Sequence, residues 1–79
     1  MLHNVKIPSN FTIIQKSEFL IEVKSKYHYW RLTQGNDILI LAHKYQSKDE
    51  YHKQLTCHNP LKAFKYIENH DKFFESKIE

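Results

Sequence analysis

The chain contains one glycine, one cysteine, two prolines and one arginine among 79 residues. Each shortage excludes something. With Gly35 as its only glycine, the sequence cannot supply a glycine-rich phosphate loop. Cys57 alone forms neither an internal disulfide nor a Cys-x-x-Cys metal pair, so a reducing, cytoplasmic setting is expected. No segment approaches the roughly 18 apolar residues of a membrane span, and the start of the chain has no apolar run of signal-peptide length. A single arginine against eleven lysines leaves few tools for reading guanine edges, because lysine acts on phosphate mainly as a point charge.

What is present suffices for one small core. The sequence is 41% hydrophobic and 14% aromatic, which argues against disorder and against dependence on a metal or disulfide for folding. A single domain over 1–79 is expected, with residues 1–10, which carry Pro8-Ser9-Asn10, as an extended or frayed lead-in. The formal charge of +3 permits nucleic-acid binding without indicating it.

Four segments read as strands: Phe11 to Gln15, Phe19 to Lys24, Tyr27 to Thr33 and Asp37 to His43. Gly35-Asn36 reads as a two-residue hairpin loop, with glycine supplying a positive φ. Gln34 then pairs with Asp37, Trp30 with Leu41 and His28 with His43. An even-length loop at Ser25-Lys26 pairs Val23 with His28 and Ile21 with Trp30. Both registers put Phe19, Ile21, Val23, Trp30, Leu32, Leu39 and Leu41 on one face, the expected core. Leu20, Glu22, Lys24, Tyr27, Tyr29, Arg31, Thr33, Ile38, Ile40, Ala42 and Lys44 fall on the other, which Phe11 and Ile13 would join through a first strand.

Tyr51 to Thr56 reads as a last strand, with Lys53 sharing the face of Tyr51 and Leu55. Asn59 is a suitable N-cap and Pro60 a suitable first helical residue. Leu61, Phe64, Ile67 and Phe74 then form an apolar stripe flanked by Ala63 and His70. The expected fold is α+β: a small antiparallel meander of three to five strands with one C-terminal helix packed on one face.

Candidate chemistry is sparse. His28 and His43, with His52, Cys57 and His58, hold nitrogen and sulfur ligands, but none at the spacing of a structural zinc site, and no metal or other cofactor is expected. Cys57 and His58 are neighbours that point apart in a strand, so Cys57 reads as a buried filler and not as a nucleophile. Asp37, Asp49, Glu50, Asp71 and Glu75 form no acid and base pair fixed by spacing, and no enzyme is expected.

The outer face carries the functional reading. Tyr27, Tyr29, Arg31, Ile38, Ile40 and Lys44 combine aromatics, arginine and an apolar floor with charged edges, the composition that protein interfaces favour. The expectation is a non-catalytic interaction module that binds another protein or a second copy through this face, provided residues 1–15 do not cover it. The alternative is a nucleic-acid-binding domain using the same face and the helix lysines Lys62, Lys65 and Lys72. In element order, Phe19 to about Phe74, with its helix opening Asn59-Pro60-Leu61-Lys62-Ala63, resembles the integrase-type DNA-binding domain. That resemblance implies a three-stranded sheet in the major groove and Tyr27, Tyr29, Arg31 and Lys44 facing DNA. The chain shares no specific motif with that family. It also departs from it at Leu20, Glu22, Ile38 and Ile40, where DNA reading would want basic or hydrogen-bonding side chains.

Overall fold

The computed structural model describes residues 2–78; Met1 and Glu79, which the expected single domain includes, lie outside the described residues. A 3-10 turn (Leu2–Asn4) precedes strands β1 (Thr12–Lys16), β2 (Leu20–Lys24), β3 (Tyr29–Gln34), β4 (Leu39–Lys44) and β5 (His52–Cys57), and helix α1 (Pro60–Ile78) closes the chain. The sheet is an antiparallel meander in the order β1-β2-β3-β4-β5. This is the expected α+β architecture at its five-stranded limit. No helix among the described residues is long and apolar enough to cross a membrane.

Both central hairpins turn one residue later than the sequence suggests. Gly35 N–H donates to the Ile38 carbonyl at 2.8 Å, which leaves Asn36 and Asp37 at the tip. Ser25 N–H likewise donates to the His28 carbonyl at 2.9 Å, leaving Lys26 and Tyr27 at the tip. Trp30 therefore faces Val23 and His43, not Ile21 and Leu41. The left-handed residue of the β3–β4 turn is Asp37, with φ 57°, and Gly35 is not in that region. Aspartate tolerates the conformation because its short polar side chain can bond locally. Gly35 contributes closeness instead: a Cβ there would meet Ile38 Cγ2 at 3.2 Å. Each partner moves two positions along its facing strand, an even step, so the inside and outside faces survive the slip.

A slip of odd parity does occur at β5. The β4–β5 register shifts between Leu41 and Ala42, so that Leu55 faces Leu41 while Lys53 faces Ala42. The bulge separates residues that strict alternation would keep together. Lys53 is thereby on the outer face, opposite to that of Leu55, with which it was expected to share a side.

The core holds Ile21, Val23, Trp30, Leu32, Leu39 and Leu41 from the sheet, with Ala63, Phe64 and Ile67 from α1. Phe19 is not among them. It sits in the β1–β2 turn, its carbonyl accepting from Gln34 N–H while its side chain stays 54% exposed. Leu2 and Phe11 join this core, with Val5 and Ile7 packed against it. The lead-in, expected to be extended or frayed, is anchored through these side chains, and Leu2 N–H also bonds the Glu18 carbonyl at 3.0 Å. Phe11 goes to the helix side against Phe64, at 6.1 Å between ring centroids, and not to the outer face. Ile13 faces Val23, on the core side of edge strand β1, and remains largely exposed.

Helix α1 begins as its sequence requires. Asn59 Oδ1 accepts from Leu61 N–H at 2.9 Å, which satisfies a donor that the first turn would leave unpaired. Leu61 itself is 69% exposed, and the buried stripe centres on Ala63, which lets the helix approach the sheet closely. A latch fixes the other half of the helix. Trp30 Nε1–H donates to Ser25 Oγ at 2.9 Å, and Ser25 Oγ–H lies 3.0 Å from Asp71 Oδ1. Asp71 Oδ2 accepts from Lys26 N–H at 3.2 Å, so one carboxylate holds the whole β2–β3 turn.

Candidate functional site

The outer face keeps part of the expected set together. Tyr29, Arg31, Ile40 and Lys44 all project from the two central strands, since Tyr29 pairs with Lys44, Arg31 with Ala42 and Thr33 with Ile40. Tyr27 and Ile38 lie elsewhere. Tyr27 is at the tip of the β2–β3 turn and packs towards the helix against Phe74, 4.9 Å between centroids. Ile38, in the β3–β4 turn, lines a shallow cavity of about 330 Å³ with Leu2, Val5, Leu39, His58 and Pro60. The one-residue displacement of each hairpin put both residues into turns.

In their place the fold supplies Tyr51. The β5 bulge brings its ring onto the outer face, with the Arg31 guanidinium 4.5 Å and Lys44 Nζ 4.5 Å from its centroid. Lys44 Nζ is also 5.6 Å from the Tyr29 centroid, and Lys24 Nζ is 5.8 Å from it. Tyr51 OH donates to Glu22 Oε2 at 2.6 Å. Burial and that hydrogen bond push the Tyr51 hydroxyl far above the ordinary phenol range, so it stays a donor at physiological pH. The result is a half-buried lattice of cations over aromatic rings, with one carboxylate at its centre. Of the first fifteen residues, Leu2, Val5, Ile7 and Phe11 pack on the helix side, while Gln15 reaches the edge of this face, its Nε2–H donating to Glu22 Oε1 at 3.3 Å. No periodicity in the sequence could reveal Tyr51, because an unannounced bulge inverts the strand there.

A second constellation lies at one end of the core. His28, at the base of the β2–β3 turn, is 3% exposed, and His43, on β4 opposite Trp30, is 4% exposed. Helix α1 adds His70, one residue before the Asp71 latch. The ring centroids are 4.8 Å apart for His28 and His43, 4.9 Å for His43 and His70, and 5.4 Å for His28 and His70. Phe74, Tyr45 and Trp30 enclose them, with Phe74 and Tyr45 each 4.7 Å from His28 and Trp30 4.5 Å from His43. His28 Nδ1, His43 Nε2 and His70 Nδ1 are buried without a hydrogen-bond partner. Burial, aided by the neighbouring imidazoles, lowers the pKa of His28 and takes that of His43 down to about 4. Both rings are therefore neutral at pH 7.

Cys57 and His58 lie apart from this trio, and His52 borders it. Cys57 is buried opposite Leu39, at the far end of β4, as the filler its position suggests. His58 points away, its Nδ1 2.8 Å from the Asp37 carbonyl oxygen. His52 faces His43 across the β4–β5 edge and lines a cavity of about 480 Å³ with Tyr45, Asp49, Glu50, His43 and His70. His70 was the residue that pattern reading undervalued. It falls three positions after Ile67 and four before Phe74, which is the spacing of the sheet-facing stripe. No protein-family model, curated protein or solved structure matches this chain.

Proposed function

We propose that this chain is a non-catalytic interaction module whose outer sheet face binds an acidic surface of another protein. The observation that carries this reading is the cationic and aromatic lattice of Lys24, Tyr29, Arg31, Lys44 and Tyr51 around Glu22. Lys53 shares this face through its pairing with Ala42. Aromatic and arginine anchors with an adjoining apolar residue, here Ile40, are what interface hot spots use. The excess of cations disfavours a second copy docked face to face, because like charges would meet. Nucleic acid is the weaker candidate, since the tyrosine rings on which bases would stack already carry lysine and arginine.

The test uses Tyr29→Ala combined with Ile40→Ser, which removes an anchor and the apolar floor without touching the core. Binding of a glutamate-rich peptide, read by fluorescence anisotropy, should weaken by roughly tenfold or more in the double variant. Melting should move little, as both residues are only half-buried. Stronger binding to a DNA or RNA oligonucleotide than to the peptide, lost steeply between about 50 and 200 mM salt, would replace this reading with the nucleic-acid one. A dimer in sedimentation that the double variant dissolves would replace it with self-association.

A further inference from the structure

Buried imidazoles ordinarily satisfy both ring nitrogens, one donating and one accepting. His28, His43 and His70 depart from this together. Each leaves a buried nitrogen without a partner, and one nitrogen from each ring lies within 4.8 Å of the other two. Three rings that meet inside an aromatic shell, each with a buried nitrogen left unsatisfied, are costly unless a further group is bound among them.

We propose that His28, His43 and His70 form a three-histidine site for a divalent transition-metal ion of the zinc class. An all-imidazole donor set suits zinc, copper, nickel or iron, and lacks the oxygens that calcium and magnesium require. Ligands around a tetrahedral ion at about 2.0–2.1 Å stand roughly 3.3 Å apart, so binding has to draw the rings inward from their 4.8 Å limit. His70 sits on the helix surface of the core and is half-buried, which gives it the freedom to do so. The low proton affinity of His28 and His43 leaves both ready to donate lone pairs at neutral pH. Three ligands leave one position of a four-coordinate ion open. His43 and His70 both border the cavity of about 480 Å³ that is also lined by Tyr45, Asp49, Glu50 and His52.

This site is independent of the outer face, so either reading can fail alone. The test strips the full chain with a chelator and titrates zinc by calorimetry, with circular dichroism confirming the fold before and after. One zinc per chain is expected. His70→Gln, a helix-compatible change, should weaken binding by more than about 100-fold, beyond what loss of a residue supporting a ligand causes. His52→Gln, in the adjoining cavity, should bind like the unaltered chain. The ring nitrogen resonances give a variant-free readout: zinc should shift those of His28, His43 and His70 and spare those of His3, His52 and His58. A folded chain that takes up no stoichiometric zinc overturns the site, as does an unaltered affinity in a folded His70→Gln. Zinc-induced shifts confined to other histidines overturn it equally.

Discussion

The two ends of the inner sheet face are built on opposite terms. At one, Leu39 and Cys57 face each other across β4 and β5 with Leu2 beside them, all three buried in the apolar core. At the other, the β2–β3 turn and β4 deliver His28 and His43 to meet His70, and three ring nitrogens go unsatisfied. The apolar end owes its stability to area removed from water, which neither protons nor metals alter. The histidine end holds groups that protons and metals can both reach, so its contribution depends on conditions. A core that needed only to be filled would not place its unsatisfied polar atoms in one cluster.

Three perturbations separate the ends, and the largest strikes where they join. Trp30 is 0% exposed, lies against His43 and His70, and faces Val23 across the sheet. Trp30→Ala should destabilise by roughly 3–5 kcal/mol, read as a lowered or lost melting transition in circular dichroism. For a domain of this size that is most of the available stability. An unchanged midpoint would contradict the packing described for both ends.

Acid should act on one end alone. The folded pKa of His43 lies near 4, below its ordinary 6.5, so between these values the unfolded chain binds a proton that the folded chain refuses. The stabilisation is complete above pH 6.5 and is lost as pH falls towards 4, amounting to roughly 3 kcal/mol in chelator-treated protein. Urea denaturation at pH 7.5 and 4.5 measures it. In the same series Leu39→Ala, at the apolar end, should subtract an equal amount at both pH values. If the two perturbations were coupled, the ends would not be independent.

The smallest effect concerns the latch. Ser25→Ala removes the acceptor of buried Trp30 Nε1–H and the hydroxyl beside Asp71. Leaving the indole donor unpaired should lower stability by about 1–2 kcal/mol. Hydrogen exchange should show the loss first in the β2–β3 turn and the second half of α1, with Leu39 and its neighbours unaffected.

Much of this was legible in the residues. Alternation placed Trp30 and Leu32 inside and Tyr29 and Arg31 outside, and Asn59-Pro60 marked the helix start. These signals survived because the hairpins slipped by even steps, which preserve the faces. Tyr27 and Ile38 were misplaced because a slip of one loop residue moves strand ends into turns, where alternation has no meaning. Lys53 and Tyr51 were misread because a bulge inverts parity without leaving a mark in the sequence. The roles of His70 and Asp71, both visible as residues, are illegible for a different reason. Their partners Ser25, His28 and His43 lie on strands far away in the chain, and helix periodicity says which side faces the sheet but not which sheet residue it meets.

The Asp71 latch also bears on how the molecule assembles. Every strand pairs with its sequence neighbour, so the sheet grows by closing short hairpins, each with little loss of chain freedom. Ser25 and Asp71, by contrast, are 46 positions apart, and joining them closes most of the chain into one loop. That closure carries the larger entropic cost and depends on strands already in place. His70, the residue before Asp71, meets His28 and His43 across the same long span. A pocket formed from the two ends of so long a span has no counterpart in the unfolded chain, so whatever binds there selects the completed fold, and its occupancy reports on the integrity of the whole domain.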